Sequence, residues 1–307
     1  SIQIVQEGAG MKKMLSPILA VFAMGLVLLS TLLHTSFLFL MALLKWLLPF
    51  RPVQKFLSRF LIVIAESWVA FNSWLIDIVT PTKFIVTGME SLKYEGWYLV
   101  ISNHQSWVDI PVLQKIFNRR IPFLKFFLKG ELIWVPFLGL AWWALDFPFM
   151  QRYTKSKLKK YPHLKGKDIE ATRKACERFR HLPVSVMNFV EGTRFTPLKQ
   201  ERQQSPFNDL LKVKAGGIAF VLDAMGESMK SIVDVTIVYA DGRPTLMDLF
   251  AGRIRHVQID IVERKITPDL IGDYANDNAF RIHFHAWLNG VWHEKQKKID
   301  VLKASVR

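Results

Sequence analysis

Two long apolar stretches occupy the N-terminal quarter of the chain. The first, from Pro17 to Leu44, contains no charged residue. As an α-helix it would extend about 42 Å, which exceeds the roughly 30 Å of hydrocarbon in a bilayer. A cleaved signal peptide would have a shorter apolar run followed by a small-residue cleavage site, and the sequence shows neither feature. We therefore expect a retained membrane helix.

The second apolar stretch, Phe56 to Val79, is interrupted by Arg59, Glu66 and Asp77. Charges are costly at the centre of a bilayer, so we expect this segment to lie in the membrane interface or to pack on the first helix. Basic residues flank the first stretch on both sides, so their distribution gives no orientation. Together the two segments predict a membrane-anchoring helical hairpin over residues 11–80.

After Thr80 the pattern changes to short apolar runs that alternate with amphipathic stretches. This alternation is typical of an α/β domain, which we place at residues 81–307. Residues 1–10 precede a Met-Lys-Lys start and look like the remnant of an expression tag, so they belong to neither part. The predicted strands are Phe84 to Thr87, Tyr98 to Ile101, Phe147 to Met150, Val184 to Val190, Ile232 to Tyr239 and His256 to Val262. The predicted helices are Asp168 to Arg180, Gly216 to Met225 and Ala279 to Lys297.

The formal net charge is +15, and the chain contains a single cysteine, Cys176. An intramolecular disulfide is therefore excluded, which favours a cytosolic location for the α/β domain. The positive charge favours anionic partners. Residues 152–180 carry eleven Lys and Arg against three acidic residues, and this segment is either an ordinary solvated surface or a surface that faces anionic lipid. Nucleic acid is a poorer candidate because no nucleic-acid-binding module accompanies the charge.

A histidine and an aspartate follow the strand that ends at Ile101. Open α/β sheets bind their ligands where a strand ends and a helix begins. His104 and Asp109 are five residues apart, so on one helix they would be about 140° out of phase. They can meet only if His104 lies in the turn and Asp109 in the first helical turn. The carboxylate would then accept a hydrogen bond from Nδ1 and leave Nε2 free to act as a base.

Such a base suits the deprotonation of an alcohol that attacks an activated acyl group. A thioester is already activated, so no serine or cysteine nucleophile is required, and the sequence has no G-x-S-x-G elbow to supply one. A bare His-x4-Asp pair is weak evidence, however, because chance matches are expected in a chain with eight histidines.

Cationic turns follow the His-Asp pair in the sequence. The strand from Val184 ends in Glu191-Gly192-Thr193-Arg194, where glycine permits a tight turn and arginine offers a bidentate fork suited to phosphate. Lys214 and two glycines lie at the start of the helix from Gly216, a geometry that favours anions. Arg152 closes the strand from Phe147. The order of these clusters after His104 is not expected by chance.

Four segments together resemble the glycerolipid acyltransferase family, especially 1-acylglycerol-3-phosphate acyltransferases of the PlsC type. They are Asn103-His104 with Asp109, then Lys129-Gly130-Glu131-Leu132 with Pro136 and Gly139, then Arg152, and finally Phe189 to Arg194. The resemblance covers most of Tyr98 to Tyr239 and is closest to a divergent, YihG-like subgroup. It implies a mixed sheet flanked by helices and preceded by a two-helix membrane anchor.

The chain departs from the family pattern within the motifs that bind the acceptor. Val190 stands where the third motif usually has proline, and Asp146 and Gln151 replace the usual residues before Arg152. The proline of the fourth motif is replaced near Asp234. These departures leave the catalytic base in place and the choice of acceptor open.

The resemblance implies transfer of an acyl group from acyl-CoA or acyl carrier protein to the sn-2 hydroxyl of 1-acylglycerol-3-phosphate. His104 would be the general base and Asp109 would orient it, without an acyl-enzyme. No metal or cofactor is expected besides the acyl donor as co-substrate. The expected substrate-binding residues are Asn103, Lys129, Arg152, Glu191, Gly192, Thr193, Arg194 and Lys214.

Two alternatives remain open from the sequence. The acceptor could be another lysophospholipid, such as lysocardiolipin or lysophosphatidylglycerol, or the chain could be a non-catalytic, basic protein of the membrane surface. The expected partners are the lysophospholipid, the acyl donor and anionic membrane lipid, and no nucleic acid. The expected location is a bacterial inner membrane, with the catalytic domain facing the cytosol.

Overall fold

The computed structural model describes residues 2–48, 50–147, 149–150 and 183–305. The basic segment 152–180 lies entirely outside these ranges, and with it Arg152 and the helix predicted from Asp168 to Arg180.

Two long helices form the N-terminal part: α1 spans Ile2–Leu47 and α2 spans Arg51–Val79. Both are long and apolar enough, by length and composition, to cross a membrane. They pack against each other, and the indole N–H of Trp68 donates to Oγ1 of Thr31 over 3.1 Å. The predicted pair of packed helices is therefore confirmed, with α2 lying on α1 despite its charged residues, and its role as a membrane anchor stays a prediction.

The α/β part is built around a six-stranded sheet. Its strands are β1 (Lys83–Thr87), β2 (Tyr98–Ser102), β3 (Leu124–Phe126), β6 (Ser185–Phe189), β7 (Ser231–Tyr239) and β8 (His256–Arg264). Their order across the sheet is β1-β8-β7-β2-β6-β3. All neighbouring strands are parallel except β7 and β8, so the sheet is mixed, as expected. A separate parallel pair consists of β4 (Leu128–Lys129) and β5 (Phe149–Met150).

Helices cover both faces of this sheet. In the described residues the other α-helices are α3 (Asp109–Phe117), α4 (Leu138–Ala144), α5 (Pro197–Gln203), α6 (Gly216–Met225), α7 (Leu246–Phe250) and α8 (Asn278–Ala304). Short 3-10 helices span Gly130–Trp134 and Pro268–Leu270.

The central strand β2 is buried on both faces, and its side chains alternate between two core layers. Val100 packs in the layer that contains buried side chains of α1, α2, α3, α4 and α7. Leu99 and Ile101 pack in the layer of α6 and α8. The hairpin and the C-terminal helix therefore lie on opposite faces of the sheet.

A buried ion pair fixes α8 to the middle of β7. Nζ of Lys295 donates to Oδ1 of Asp234 and to the carbonyl of Val235, both over 2.6 Å, and Arg264 donates to the other carboxylate oxygen over 3.0 Å. Buried charges are tolerated when they are paired in this way. Asp234, which stands near the position of the family's proline, thus has a structural explanation.

Candidate active site

The imidazole of His104 and the carboxylate of Asp109 are in direct contact. Nδ1 of His104 lies 2.8 Å from Oδ2 of Asp109. His104 lies in the turn after β2, and Asp109 is the first residue of α3. This is the only arrangement in which the five-residue spacing allows contact. Since Nδ1 bonds to the carboxylate, Nε2 carries the lone pair of the neutral ring and is the atom that can accept a proton.

Asp109 is fully buried, and both of its oxygens are occupied. Besides Nδ1, Oδ2 accepts from the backbone N–H groups of Gln105 and Ser106, over 2.6 and 2.9 Å. Oδ1 accepts from the hydroxyl of Tyr239 over 2.6 Å. A buried carboxylate with four donors has its hydrogen-bonding capacity satisfied and its direction fixed. Asp109 therefore holds the imidazole in one orientation.

The ring and the backbone of His104 are fixed as well. The ring stacks on Phe189 at the end of β6, with 3.8 Å between ring centroids and 11° between planes. The backbone N–H of His104 donates to Oε1 of Glu191 over 3.0 Å, and its carbonyl accepts from the N–H of Phe195 over 2.7 Å. These contacts come from β6 and from the turn that follows it, so the parallel pairing of β2 with β6 positions the histidine.

Glu191 faces the protein interior and is fully buried. Its Oε1 accepts from the N–H of His104, and its Oε2 accepts from the N–H of Leu211 over 2.9 Å. Burial raises the pKa of Glu191 to about 8, against the lowering effect of these two backbone hydrogen bonds. Both oxygens accept hydrogen bonds from backbone N–H groups, so the side chain links the turn after β2 to the loop before α6.

The turn after Glu191 depends on a glycine and a lysine. Gly192 has a φ of 66°, in the left-handed region that only glycine adopts without cost. Nζ of Lys199 donates to Oγ1 of Thr193 over 2.8 Å and to the carbonyl of Arg194 over 2.9 Å. Thr193 is thus held by Lys199, and its expected contact with substrate stays a prediction.

Arg194 is directed back over the first turn. Its guanidinium lies 4.4 Å from the ring centroid of Trp107, which belongs to the segment between His104 and Asp109. Stacking on an aromatic ring leaves the edge of a guanidinium available for hydrogen bonding. Arg194 is therefore a cation stacked on the segment between His104 and Asp109, with a guanidinium edge suited to a phosphate.

The side-chain amide of Asn103 forms hydrogen bonds with the backbone of β7. Its Nδ2 donates to the carbonyl of Ile237 and its Oδ1 accepts from the N–H of the same residue, both over 2.9 Å. The side chain is fully buried. It continues the ladder between β2 and β7 beyond the last strand residue, and so fixes where His104 begins. Both polar atoms of its amide bond to β7, so the geometry favours a positioning role, and the expected contact with substrate stays a prediction.

The remaining predicted cations lie at different places. The backbone N–H of Lys214 donates to the carbonyl of Val190 over 2.9 Å, so Lys214 lies beside the end of β6 with an exposed side chain. Lys129 lies in β4, opposite Met150 of β5. Arg152 lies outside the described residues.

Several contacts were absent from the sequence-based expectations. Tyr239 is the last residue of a correctly predicted strand, and its place at the carboxyl edge of the sheet was a usable signal. Trp107 and Lys199 gave no comparable signal, since their partners depend on how two loops meet. Within the described part of the chain, no group of three or more His, Cys, Asp and Glu residues could hold a metal ion.

Comparison with known proteins finds relatives among plant acyltransferases. A probable 1-acyl-sn-glycerol-3-phosphate acyltransferase 5 from Arabidopsis thaliana is 25% identical over 294 residues, covering 90% of this chain and 72% of that protein. The 1-acyl-sn-glycerol-3-phosphate acyltransferase 3 of the same plant is 26% identical over 228 residues, covering 66% of this chain and 57% of its own length.

The fold has a counterpart among solved structures. The 1-acyl-sn-glycerophosphate acyltransferase PlsC from Thermotoga maritima superposes with a TM-score of 0.55 at 16% identity, over 95% of this chain and 98% of that one. The family model described as Acyltransferase matches residues 83–240, which is just over half of the chain and includes the whole His104 site. The chain therefore belongs to the acyltransferase family.

Proposed function

We propose that the protein transfers a fatty acyl group from acyl-CoA or acyl carrier protein to the sn-2 hydroxyl of 1-acylglycerol-3-phosphate, forming phosphatidic acid. The observation that carries this proposal is the 2.8 Å contact between His104 and the fully occupied carboxylate of Asp109. That contact lies at the carboxyl edge of the sheet, beside a stacked arginine.

In the proposed reaction, Nε2 of His104 takes the proton of the acceptor hydroxyl as the oxygen attacks the thioester carbonyl. The new C–O bond forms and the C–S bond breaks. The leaving thiolate then takes the proton from the imidazolium and departs as a thiol. Both substrates are bound together, so no acyl-enzyme is formed. Asp109 stabilises the imidazolium through Nδ1 without itself becoming protonated.

Two features support an acceptor that carries a phosphate. Arg194 stacks on Trp107, three residues after His104, and its guanidinium fork matches phosphate geometry. Lys214 adds a second positive charge next to the end of β6. By resemblance to the family, Lys129 and Arg152 would contribute further phosphate contacts. The names of the two plant relatives designate the same acceptor for those proteins.

The proposed location is a membrane, because acceptor and product are both lipids. The apolar hairpin α1–α2 would hold the catalytic domain at the bilayer surface. We place this domain on the cytosolic side, where acyl-CoA and acyl carrier protein are available. The expected bacterial inner membrane stays a prediction, since the two relatives named above are plant proteins.

The test is an acyl-transfer assay with the full chain in lipid vesicles and products identified by mass spectrometry. One acyl-CoA, or the same acyl group on acyl carrier protein, is supplied with lysophosphatidic acid, lysophosphatidylglycerol or lysocardiolipin. We expect phosphatidic acid to form fastest. Faster acylation of another lysolipid would replace the proposed acceptor. Absence of transfer with every acceptor and donor would instead favour a non-catalytic membrane-surface protein.

A further inference from the structure

An apolar surface lies on the catalytic domain outside the hairpin. It is formed by the 3-10 helix Gly130–Trp134 and by α4, and we call these two elements with their connection the 130–144 segment. Its large apolar side chains face outward, and Trp134 is 85% exposed while Trp143 is 52% exposed. The other exposed members are Ile133, Phe137 and Leu140. The segment contains one charged residue, Glu131.

The backbone conformation of this segment directs these side chains outward. Phe137 has a φ of 62°, which is costly for a residue with a bulky side chain. Gly139 lets α4 pack directly on the 3-10 helix, because a Cβ at this position would overlap the carbonyl oxygen of Ile133. The aromatic rings therefore face outward in a conformation that the surrounding packing must hold in place.

The apolar surface continues directly onto α1. Buried side chains of α4, among them Ala141, pack in one cluster with Leu38 of α1. Nζ of Lys45 lies 3.5 Å from Oδ2 of Asp146, which joins the end of α1 to the residues after α4. The neighbouring C-terminal half of α1 is itself apolar and exposed, with Trp46 72% exposed. One surface thus runs from the hairpin to the 130–144 segment.

We propose that the 130–144 segment is a second membrane contact, which lies in the headgroup and upper acyl region of the bilayer. Exposed apolar patches of this kind mark interaction sites, and tryptophan is favoured at the membrane interface. A bilayer is the occupant because the patch is continuous with the proposed membrane surface of α1. This inference rests on the proposed membrane location of the hairpin.

This contact would bring the active site close to the lipid. β3 ends at Phe126, four residues before the 130–144 segment. The ring of Phe126 stacks on Phe189 at 6.0 Å, and Phe189 stacks on His104. A row of aromatic rings therefore connects the strand next to the segment with the catalytic histidine. A lysolipid could reach His104 while its acyl chain remains in the bilayer.

The experiment places an environment-sensitive fluorophore at single cysteines, in a background that carries Cys176→Ser. The two test positions are Trp134→Cys and Trp143→Cys. Phe37→Cys, on an exposed position of α1 (59%), reports on the hairpin. Val301→Cys, on an exposed position of α8 (65%), is the matched control on the opposite face of the sheet. The full-length variants are reconstituted in phosphatidylcholine–phosphatidylglycerol vesicles, with or without nitroxide-labelled lipid.

We expect emission at positions 134, 143 and 37 to shift to shorter wavelength and to lose intensity with nitroxide lipid, and emission at 301 to do neither. Quenching at 37 without quenching at 134 and 143 would overturn the second contact while the hairpin anchor stands. A shift at 134 and 143 without quenching would show a protein partner, such as a second copy, and would also overturn it. Absence of quenching at 37 as well would overturn the hairpin location and this inference together. The readout does not depend on acyl transfer, and two test positions cover the case in which one variant does not fold.

Discussion

The hydroxyl of Tyr239 donates to Oδ1 of Asp109 over 2.6 Å, while Oδ2 of the same carboxylate serves His104. Tyr239 ends β7, and Asp109 begins α3. Burial, followed by the charge of Asp109, raises the pKa of Tyr239 well above 10.0, so the hydroxyl remains a donor throughout the physiological range. We infer that Tyr239 is a positioning residue, which acts on the reaction through the direction of the Asp109 carboxylate.

Tyr239→Phe is expected to lower kcat by about tenfold to hundredfold with little change in KM. A hydrogen bond to a charged group contributes about 1.5–3 kcal/mol, and its loss frees one oxygen of the carboxylate that orients His104. Steady-state kinetics with lysophosphatidic acid measures kcat and KM separately. Tyr98→Phe is the matched control, because Tyr98 is also a buried tyrosine. Its hydroxyl accepts from the backbone N–H of Lys93 and does not contact Asp109. Equal kcat values for both variants would contradict the positioning role.

Glu191→Gln is expected to reduce both folding stability and kcat. Glutamine offers one acceptor oxygen where glutamate offers two, so the N–H of either His104 or Leu211 loses its partner. An unsatisfied buried donor costs about 1–3 kcal/mol. Thermal unfolding in detergent, followed by tryptophan fluorescence, measures the loss of stability. Glu227→Gln, at an exposed position, is the control and should change neither quantity.

Wild type and Glu191→Gln are also expected to differ in how folding stability depends on pH. Burial raises the pKa of Glu191 from an ordinary value of 4.5 to about 8. Between these values the unfolded chain releases the proton and the folded chain keeps it, so the contribution of Glu191 to stability is lost as pH rises. The stability difference between wild type and Glu191→Gln should therefore narrow from pH 5 to pH 8. A difference that widens over this range would contradict the raised pKa.

Asn103→Ala distinguishes a positioning role from substrate binding. Removal of the amide leaves the N–H and the carbonyl of Ile237 without partners in a buried site. We expect a loss of about 2 kcal/mol or more in the free energy of unfolding. Asn289→Ala, where the amide contacts His285 on α8, should cost less. If Asn103→Ala keeps wild-type stability and only raises KM for the acceptor, Asn103 binds substrate instead.

Arg194→Ala is expected to raise KM for lysophosphatidic acid by about tenfold to hundredfold, because charge-assisted hydrogen bonds to phosphate contribute about 1.5–3 kcal/mol. Arg194→Lys should recover part of the affinity but not the bidentate geometry. Monoacylglycerol, which lacks the phosphate, is the diagnostic acceptor, since its slow acylation should not depend on Arg194. An equal loss with both acceptors would contradict phosphate binding. Arg281→Ala on α8 is the control.

The regular elements of this protein could be predicted well where the hydrophobic pattern has a period. Helix Gly216–Met225 was predicted to the residue, and β2, β7 and β8 start within one residue of their predicted positions. In the aromatic-rich segment before β5, the sequence pattern did not distinguish strands from helices, because nearly every position there is apolar and the hydrophobic residues show no period. β3, β4 and α4 were missed for this reason.

The candidate site could be predicted only in part. The contact between His104 and Asp109 followed from their spacing and from the end of a strand. The inward direction of Asn103 and Glu191 did not, because their partners, Ile237 and Leu211, are distant in sequence and are brought close by strand pairing and loop packing. The spacing of a motif shows which residues are near one another, but not which of them face the substrate.

The central claim is that His104 is the general base of acyl transfer, and the most direct test is the transfer rate of His104→Ala in vesicles. A positioned base contributes about 10² to 10⁴ in rate, so we predict a loss of kcat of that size with the fold retained. His293→Ala, at an exposed histidine of α8, should transfer acyl groups at the wild-type rate. Transfer by folded His104→Ala at the wild-type rate would contradict the account.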